Sequence, residues 1–283
     1  MTDELLNRAA AAIAGADAIL IGAGAGMGVD SGLPDFRGPQ GFWRAYPPYE
    51  RLGLNFVALA NPRWFVDDPE LAWGFYGHRM GLYRRTEPHE GFAILRRWAD
   101  RMPRGGFVFT SNVDGHFQRA GFDPGRVVEV HGAIDGMQCT SRCGIGVFPS
   151  EPFEVTIDPE TMRAIPPLPA CPSCGAPTRP NILMFGDRGW DSSRTEAQER
   201  RMGAWLDDVG TAPIVIIELG AGMAVPTIRI MSDDFTAQPG GTLIRINPRE
   251  LDVPPGHIAL PSGALAALRG IDALLNHKCI NVH

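Results

Sequence analysis

The chain has 283 residues, of which 44% are hydrophobic and 20% charged, enough to bury the core of one large α/β domain with a small insert. Its net charge of −6 comes without a lysine- or arginine-rich block, which argues against sequence-independent nucleic-acid binding, since that needs a basic face. No apolar run approaches the roughly 20 residues that span a bilayer, so neither nucleic acid nor membrane is an expected partner.

Residues 1–17 open acidic and read as an amphipathic helix rather than a signal peptide. A cytoplasmic chain with reduced cysteines is the corresponding expectation. The run AILIG at 18–22 predicts the first strand. It leaves through Gly22-x-Gly24-x-Gly26. Glycines let backbone N–H groups approach a ligand closely, and a glycine turn between strand and helix gathers free N–H groups into an anion site. The turn is therefore a phosphate-cradle candidate, and a plain tight turn fits the same residues. The acid expected about 20 residues after an ordinary dinucleotide fingerprint is not evident. Pro34-Asp35-Phe36-Arg37 stands behind the turn instead. Residues 36–66, rich in aromatics, prolines and glycines, suit a mobile lid or loop.

Helices are predicted over 69–85 and 89–100, followed by a strand at 107–110. The segment 109–121 leaves that strand with Asn112 and Asp114 at its carboxyl end, where open α/β sheets bind ligands. A further strand at 127–130 delivers His131-Gly132. A lone histidine is commonly a satisfied structural residue. An Asn, an Asp and a His at strand ends beside a phosphate-type loop also form a catalytic constellation. Residues 133–180 break the rhythm with four cysteines and many prolines, as an inserted metal module would. Cys139-x3-Cys143 and Cys171-x2-Cys174 sit in glycine- and proline-rich turns that can set four thiolates around Zn²⁺. Buried thiols or a disulfide are the other readings. No water-activating ligand accompanies the cysteines, so a zinc here is structural; Cys279 has no partner. A helix at 192–209, strands at 213–220 and 242–247 and a helix at 262–275 complete the pattern. Alternating helices and continuously apolar strands predict a parallel, doubly wound sheet covered on both faces.

These motifs together resemble the sirtuin family. The match runs from Gly24-Ala25-Gly26 through Ser31-Gly32-Leu33-Pro34-Asp35-Phe36-Arg37 to Ser111-Asn112-Val113-Asp114-Gly115 and His131-Gly132. It continues through the four cysteines, the Arg-Pro-x-x-x-x-Phe-Gly-acid element at 179–187, the segment 219–226 and Ile246-Asn247. It is collinear from about residue 15 to 275. The resemblance implies a Rossmann-type NAD domain formed by 1–35, 88–132 and 181–283. A cofactor loop and helical part would occupy 36–87, and a zinc module 133–180, with an acyl-lysine tunnel between the parts. It implies that Gly24, Ala25, Gly26 and Arg37 hold the pyrophosphate, and that Phe36 shields the nicotinamide ribose. Asn112 and Asp114 would hold the ribose and carboxamide, and His131 would act as general base. Asp35, Ser111, Gly220, Ala221, Gly222 and Asn247 would complete the cofactor contacts.

The implied activity is NAD-dependent removal of an acyl group from a protein or peptide lysine, releasing nicotinamide and O-acyl-ADP-ribose. Oligomeric state is left open. Mono-ADP-ribosyl transfer, NAD hydrolysis and non-enzymatic sensing of NAD or ADP-ribose are the alternatives. The chain departs from the family at Gly28, Ser111, His116-Phe117 and Ala221-Gly222, several of which exchange a polar side chain for none. Tyr76-x-x-Arg79 matches the Tyr-x-x-Arg of sirtuins that remove succinyl and malonyl groups. Spacing i, i+3 puts both on one helix face, where they would bind an acyl carboxylate; a core aromatic beside a solvated arginine is the other reading.

Overall fold

All five apolar runs become strands of one parallel sheet in the computed structural model, which describes residues 2–34, 42–44, 46–236 and 240–280. The strands, in chain order, are β1 (Ala18–Ala23), β2 (Gly106–Thr110), β3 (Val127–Glu129), β4 (Gly132–Cys139), β5 (Phe148–Pro149), β6 (Thr156–Ile157), β7 (Ala164–Ile165), β8 (Thr178–Ile182), β9 (Ile214–Leu219), β10 (Gly241–Ile246) and β11 (Ile258–Leu260). The longer helices are α1 (Asp3–Ala14), α2 (Pro69–Arg85), α3 (Glu90–Arg101), α4 (Ser193–Val209), α5 (Thr227–Thr236) and α6 (Ala264–Ile280).

The large sheet runs β3-β2-β1-β9-β10-β11, the order of dinucleotide-binding sheets. Register is set by burial: Leu20 lies level with Phe107 on one side and Ile216 on the other. Alternate residues serve opposite faces. Ile19 and Ile21 join Phe92, Leu95 and Leu268 in one core, beneath α1, α3 and α6. Ala18 and Leu20 join Phe107, Trp205 and Ile228 in the other, beneath α4 and α5. Truncating a fully buried side chain of this kind, such as Ile217, costs about 2–5 kcal/mol.

The second part of the molecule has its own core, where Tyr49, Trp73, Phe75 and Tyr76 pack against Ile134, Met137 and Ile182. Its sheet, β5-β4-β8, is antiparallel. Helix α2 begins with Pro69, and the Asp68 carboxylate accepts the Leu71 N–H at 3.2 Å, a combination that pre-shapes the first turn and satisfies one of its open donors. Gly74 and Gly77 of α2 leave room for Met162 and Val155, which press onto the helix there.

Beside β9 and β10 lies a buried ion pair. The Arg245 guanidinium donates to both oxygens of Glu218 at 2.6 and 2.9 Å and to Asp233 of α5 at 2.8 Å, and also to the Asp252 carbonyl. The pair thus ties two strands to the helix that follows the β9 turn. No helix among the described residues is long and apolar enough to cross a membrane.

Candidate functional site

The carboxyl ends of β1, β2, β3 and β9 open onto one cavity of about 580 Å³. It lies at β1 and β9, where strand order reverses, the place at which open α/β sheets take ligands. The turns after these two strands rest on each other. Gly24 N–H donates to Leu219 O at 2.9 Å and Gly26 N–H to Gly220 O at 3.0 Å. A side chain at Gly24 would meet Ala221 Cα at 2.7 Å and Gly220 O at 2.8 Å, so bare backbone is required there. Gly24, Ala25, Ser111, Asn112 and Asp114 line the cavity, as do Gly220, Ala221 and Gly222. Gly26 and Gly220 line a smaller adjoining hollow that reaches Arg249 and Gly263. The Gly24 and Gly26 N–H groups are thus spent on the β9 turn, and Ala25 and Gly222 are the more open backbone beside the cavity. Asp35, Phe36 and Arg37 lie outside the described residues.

Two side chains brace the β9 turn where it lacks polar side chains of its own. Asn247 is fully buried and lines neither hollow. Its Nδ2 donates to Ala221 O at 2.8 Å, and its Oδ1 accepts the N–H groups of Arg249 and Glu250. The Glu250 carboxylate accepts the Met223 N–H at 3.2 Å. The family pattern suggested Asn247 but not Glu250, whose hydrogen bond spans 27 positions of sequence.

Asn112 donates from Nδ2 to Gly24 O at 3.0 Å, locking the β2 loop to the glycine turn. Asp114 is turned partly inward and accepts the His116 N–H at 2.9 Å. His131 is half-buried and lines the same cavity. Its Nε2 lies 3.4 Å from Thr227 Oγ1, the first residue of α5. Burial holds the imidazole below its usual 6.5, against a backbone hydrogen bond with Ser111 that pulls it up. A neutral ring at pH 7 follows, which is the form a general base needs.

Tyr76 and Arg79 line this cavity too, so α2 and the strand ends face one space. Both side chains are buried, and Tyr76 Oη has no hydrogen-bond partner among the described residues. Burial raises the Tyr76 pKa, keeping the phenol protonated. The Arg79 guanidinium sits 5.2 Å from the Phe75 ring centroid and 5.3 Å from that of Tyr83, close enough for cation–π attraction. Tyr83, one turn further along α2, also lines the cavity. Its spacing of i+7 from Tyr76 was the available signal in the sequence.

The four cysteines converge at the far end of β4. Cys139 Sγ lies 3.6 Å from Cys174 Sγ, and Cys143 Sγ 3.6 Å from Cys171 Sγ. All four sulfurs fall within 4.8 Å of one another, and none is in a disulfide. Zn–S bonds of about 2.3 Å at tetrahedral angles put sulfurs about 3.8 Å apart, so the set fits a structural zinc. It stands apart from the residues lining the cavity.

Comparison with known proteins agrees with this arrangement. The Sir2 family model matches residues 24–216. "NAD-dependent protein deacylase 1" of Archaeoglobus fulgidus is 33% identical over 235 residues, 82% of each chain. The "NAD-dependent protein deacylase" of Deinococcus radiodurans is 33% identical over 95% of this chain and 98% of its own length. Among solved structures, a mutant Sir2 homologue in complex with ADP-ribose superposes with a TM-score of 0.71 at 27% identity, covering 100% of this chain and 99% of that one. A Sir2 homologue in complex with NAD gives 0.68 at 26% identity, covering 98% and 95%.

Proposed function

Because the chain belongs to the Sir2 family, we propose that it works as an NAD-dependent protein-lysine deacylase that favours acyl groups ending in a carboxylate. The NAD dependence and the deacylation accord with the names of its relatives; the acyl preference and the residue roles are our reading. When bound, NAD supplies an ADP-ribosyl group that parts from nicotinamide and takes the acyl group as O-acyl-ADP-ribose.

The chain's own residues have separable tasks. The backbone around Gly24, Ala25 and Gly26, with Gly220, Ala221 and Gly222, holds the phosphates. By the family pattern Asp35 and Arg37 add to the cofactor contacts, and Phe36 shields the nicotinamide ribose. Ser111, Asn112 and Asp114 fix the ribose and carboxamide, Asn112 being anchored through Gly24 O. Asn247 supports the site indirectly, through Ala221 O. His131, neutral at pH 7, takes a proton from a ribose hydroxyl so that its oxygen can accept the acyl carbon. Tyr76 and Arg79 meet the acyl end. The zinc held by Cys139, Cys143, Cys171 and Cys174 keeps the small domain folded.

One observation carries the acyl preference: Arg79, a buried cation, lines the cavity that also holds His131 and Asn112. A charge there is screened little by water, so it counts for more than the 0–1 kcal/mol of an exposed pair. A charged hydrogen bond of about 2 kcal/mol corresponds to about thirtyfold in kcat/KM. Wild type and Arg79→Met are compared on succinyl- and acetyl-lysine peptides. The expected result is a succinyl preference that Arg79→Met lowers about thirtyfold. Equal losses on both peptides, or an acetyl preference in wild type, would refute it.

A further inference from the structure

Tyr83 has no place in the matched motifs, yet its hydroxyl is in direct hydrogen-bond contact with Arg79. Arg79 Nε and Nη2 both donate to Tyr83 Oη, at 2.9 and 2.6 Å. Both residues are 6% exposed, and both line the cavity. A guanidinium is planar and carries five N–H groups in a fixed fork. Two contacts along one edge therefore fix the rotation of the whole plane, which a single contact would leave open. The phenol ring also belongs to the aromatic surround of Phe75, Tyr76 and Phe56 against which the guanidinium rests. Helix geometry makes the pairing local: residues four apart stand one above the other.

We propose that Tyr83 is a positioning residue for acyl specificity: its oxygen holds one edge of Arg79, so that the plane is set in advance for an acyl carboxylate. The proposal rests on the acidic-acyl reading above and adds the residue that makes Arg79 selective. A bidentate arginine–carboxylate contact depends on the plane's direction more than on charge alone. A guanidinium free to rotate would keep its charge and lose the fit. Ground-state binding would then suffer first, so the effect belongs in KM.

The test is a cycle of four proteins: wild type, Tyr83→Phe, Arg79→Met and the double variant. Each is assayed for kcat and KM on succinyl- and acetyl-lysine peptides with saturating NAD. Tyr83→Phe keeps the ring and deletes only the oxygen, and thermal melting checks that each protein is folded. The expected result is a roughly tenfold fall in the succinyl-over-acetyl ratio for Tyr83→Phe, carried by the KM for the succinyl peptide. The double variant should be no less selective than Arg79→Met alone, because without the guanidinium there is nothing to position. If Tyr83→Phe lowers both peptides in proportion, or if the two substitutions multiply in the double variant, Tyr83 is structural and the proposal is overturned. If Arg79→Met itself leaves the ratio unchanged, the acidic-acyl reading has failed, and Tyr83 with it. A ratio that collapses with Arg79→Met but not with Tyr83→Phe would preserve that reading and overturn only the role of Tyr83.

Discussion

Replacing Arg245 with methionine should be among the costliest single changes in the six-stranded sheet. Arg245 and Glu218 are 2% and 1% exposed, joined at 2.6 Å. Burial works against the guanidinium's charge, and the Glu218 and Asp233 carboxylates more than offset it, leaving its pKa raised. Methionine removes that charge and strands Glu218 in the core beside Leu219 and the β9 turn. Breaking a buried pair from one side costs about 3–5 kcal/mol, because the remaining charge has no partner. In a chain of this size each kcal/mol shifts the melting point by roughly 2–4 °C, so Arg245→Met should melt about 6–20 °C below wild type. The double variant Glu218→Gln/Arg245→Met should recover a good part of that loss, since an amide is far cheaper to bury than a carboxylate. Differential scanning calorimetry reads both. A single variant melting within about 2 °C of wild type, or a double variant no better than the single one, would show that the pair does not hold the sheet and α5 together.

Two further outcomes follow from the site. Purified, never-chelated protein should contain one zinc per chain, and chelation or Cys171→Ser should lower the melting point, since binding of this kind is coupled to folding; elemental analysis finding well under one zinc would contradict it. The acid limb of kcat/KM should have an apparent pKa below 6.5, because burial depresses the His131 imidazole and only its neutral form accepts a proton. Activity then falls as pH drops through that value, and a limb at or above 6.5 would remove His131 as the titrating base.

Much of this arrangement is legible in the sequence because the signals are local. Strands such as β1 and β9 are continuous apolar runs, and their burial on both faces explains why no alternation marks them. The cysteine pairs are adjacent within tight turns, so their spacing already limits where sulfur can go. β11 escaped notice because it has three residues, too few for a pattern. Helix α5 escaped because Pro226 and the loop before it read as the end of an element, although Pro226 instead leads into the helix. The bracing contacts could not be read at all. Thr227 and His131 are 96 positions apart, and Asn181 and Gln138, which bond at 2.9 Å behind the site, are 43 apart. Such pairs depend on the finished fold. For Tyr76 and Arg79 the spacing placed both on one helix face. Only the packing of α2 against β4 and β8 turned that face toward the cavity.

The most direct test is product identity. The protein is incubated with NAD and an acyl-lysine peptide, and nicotinamide, ADP-ribose and O-acyl-ADP-ribose are quantified by mass spectrometry for wild type and His131→Ala. The account predicts nicotinamide and O-acyl-ADP-ribose in equal amounts from wild type, with the acylated product falling by about 100-fold or more in folded His131→Ala, the scale of a lost general base. Nicotinamide accompanied only by free or protein-linked ADP-ribose, or an acylated product undiminished by His131→Ala, would contradict it.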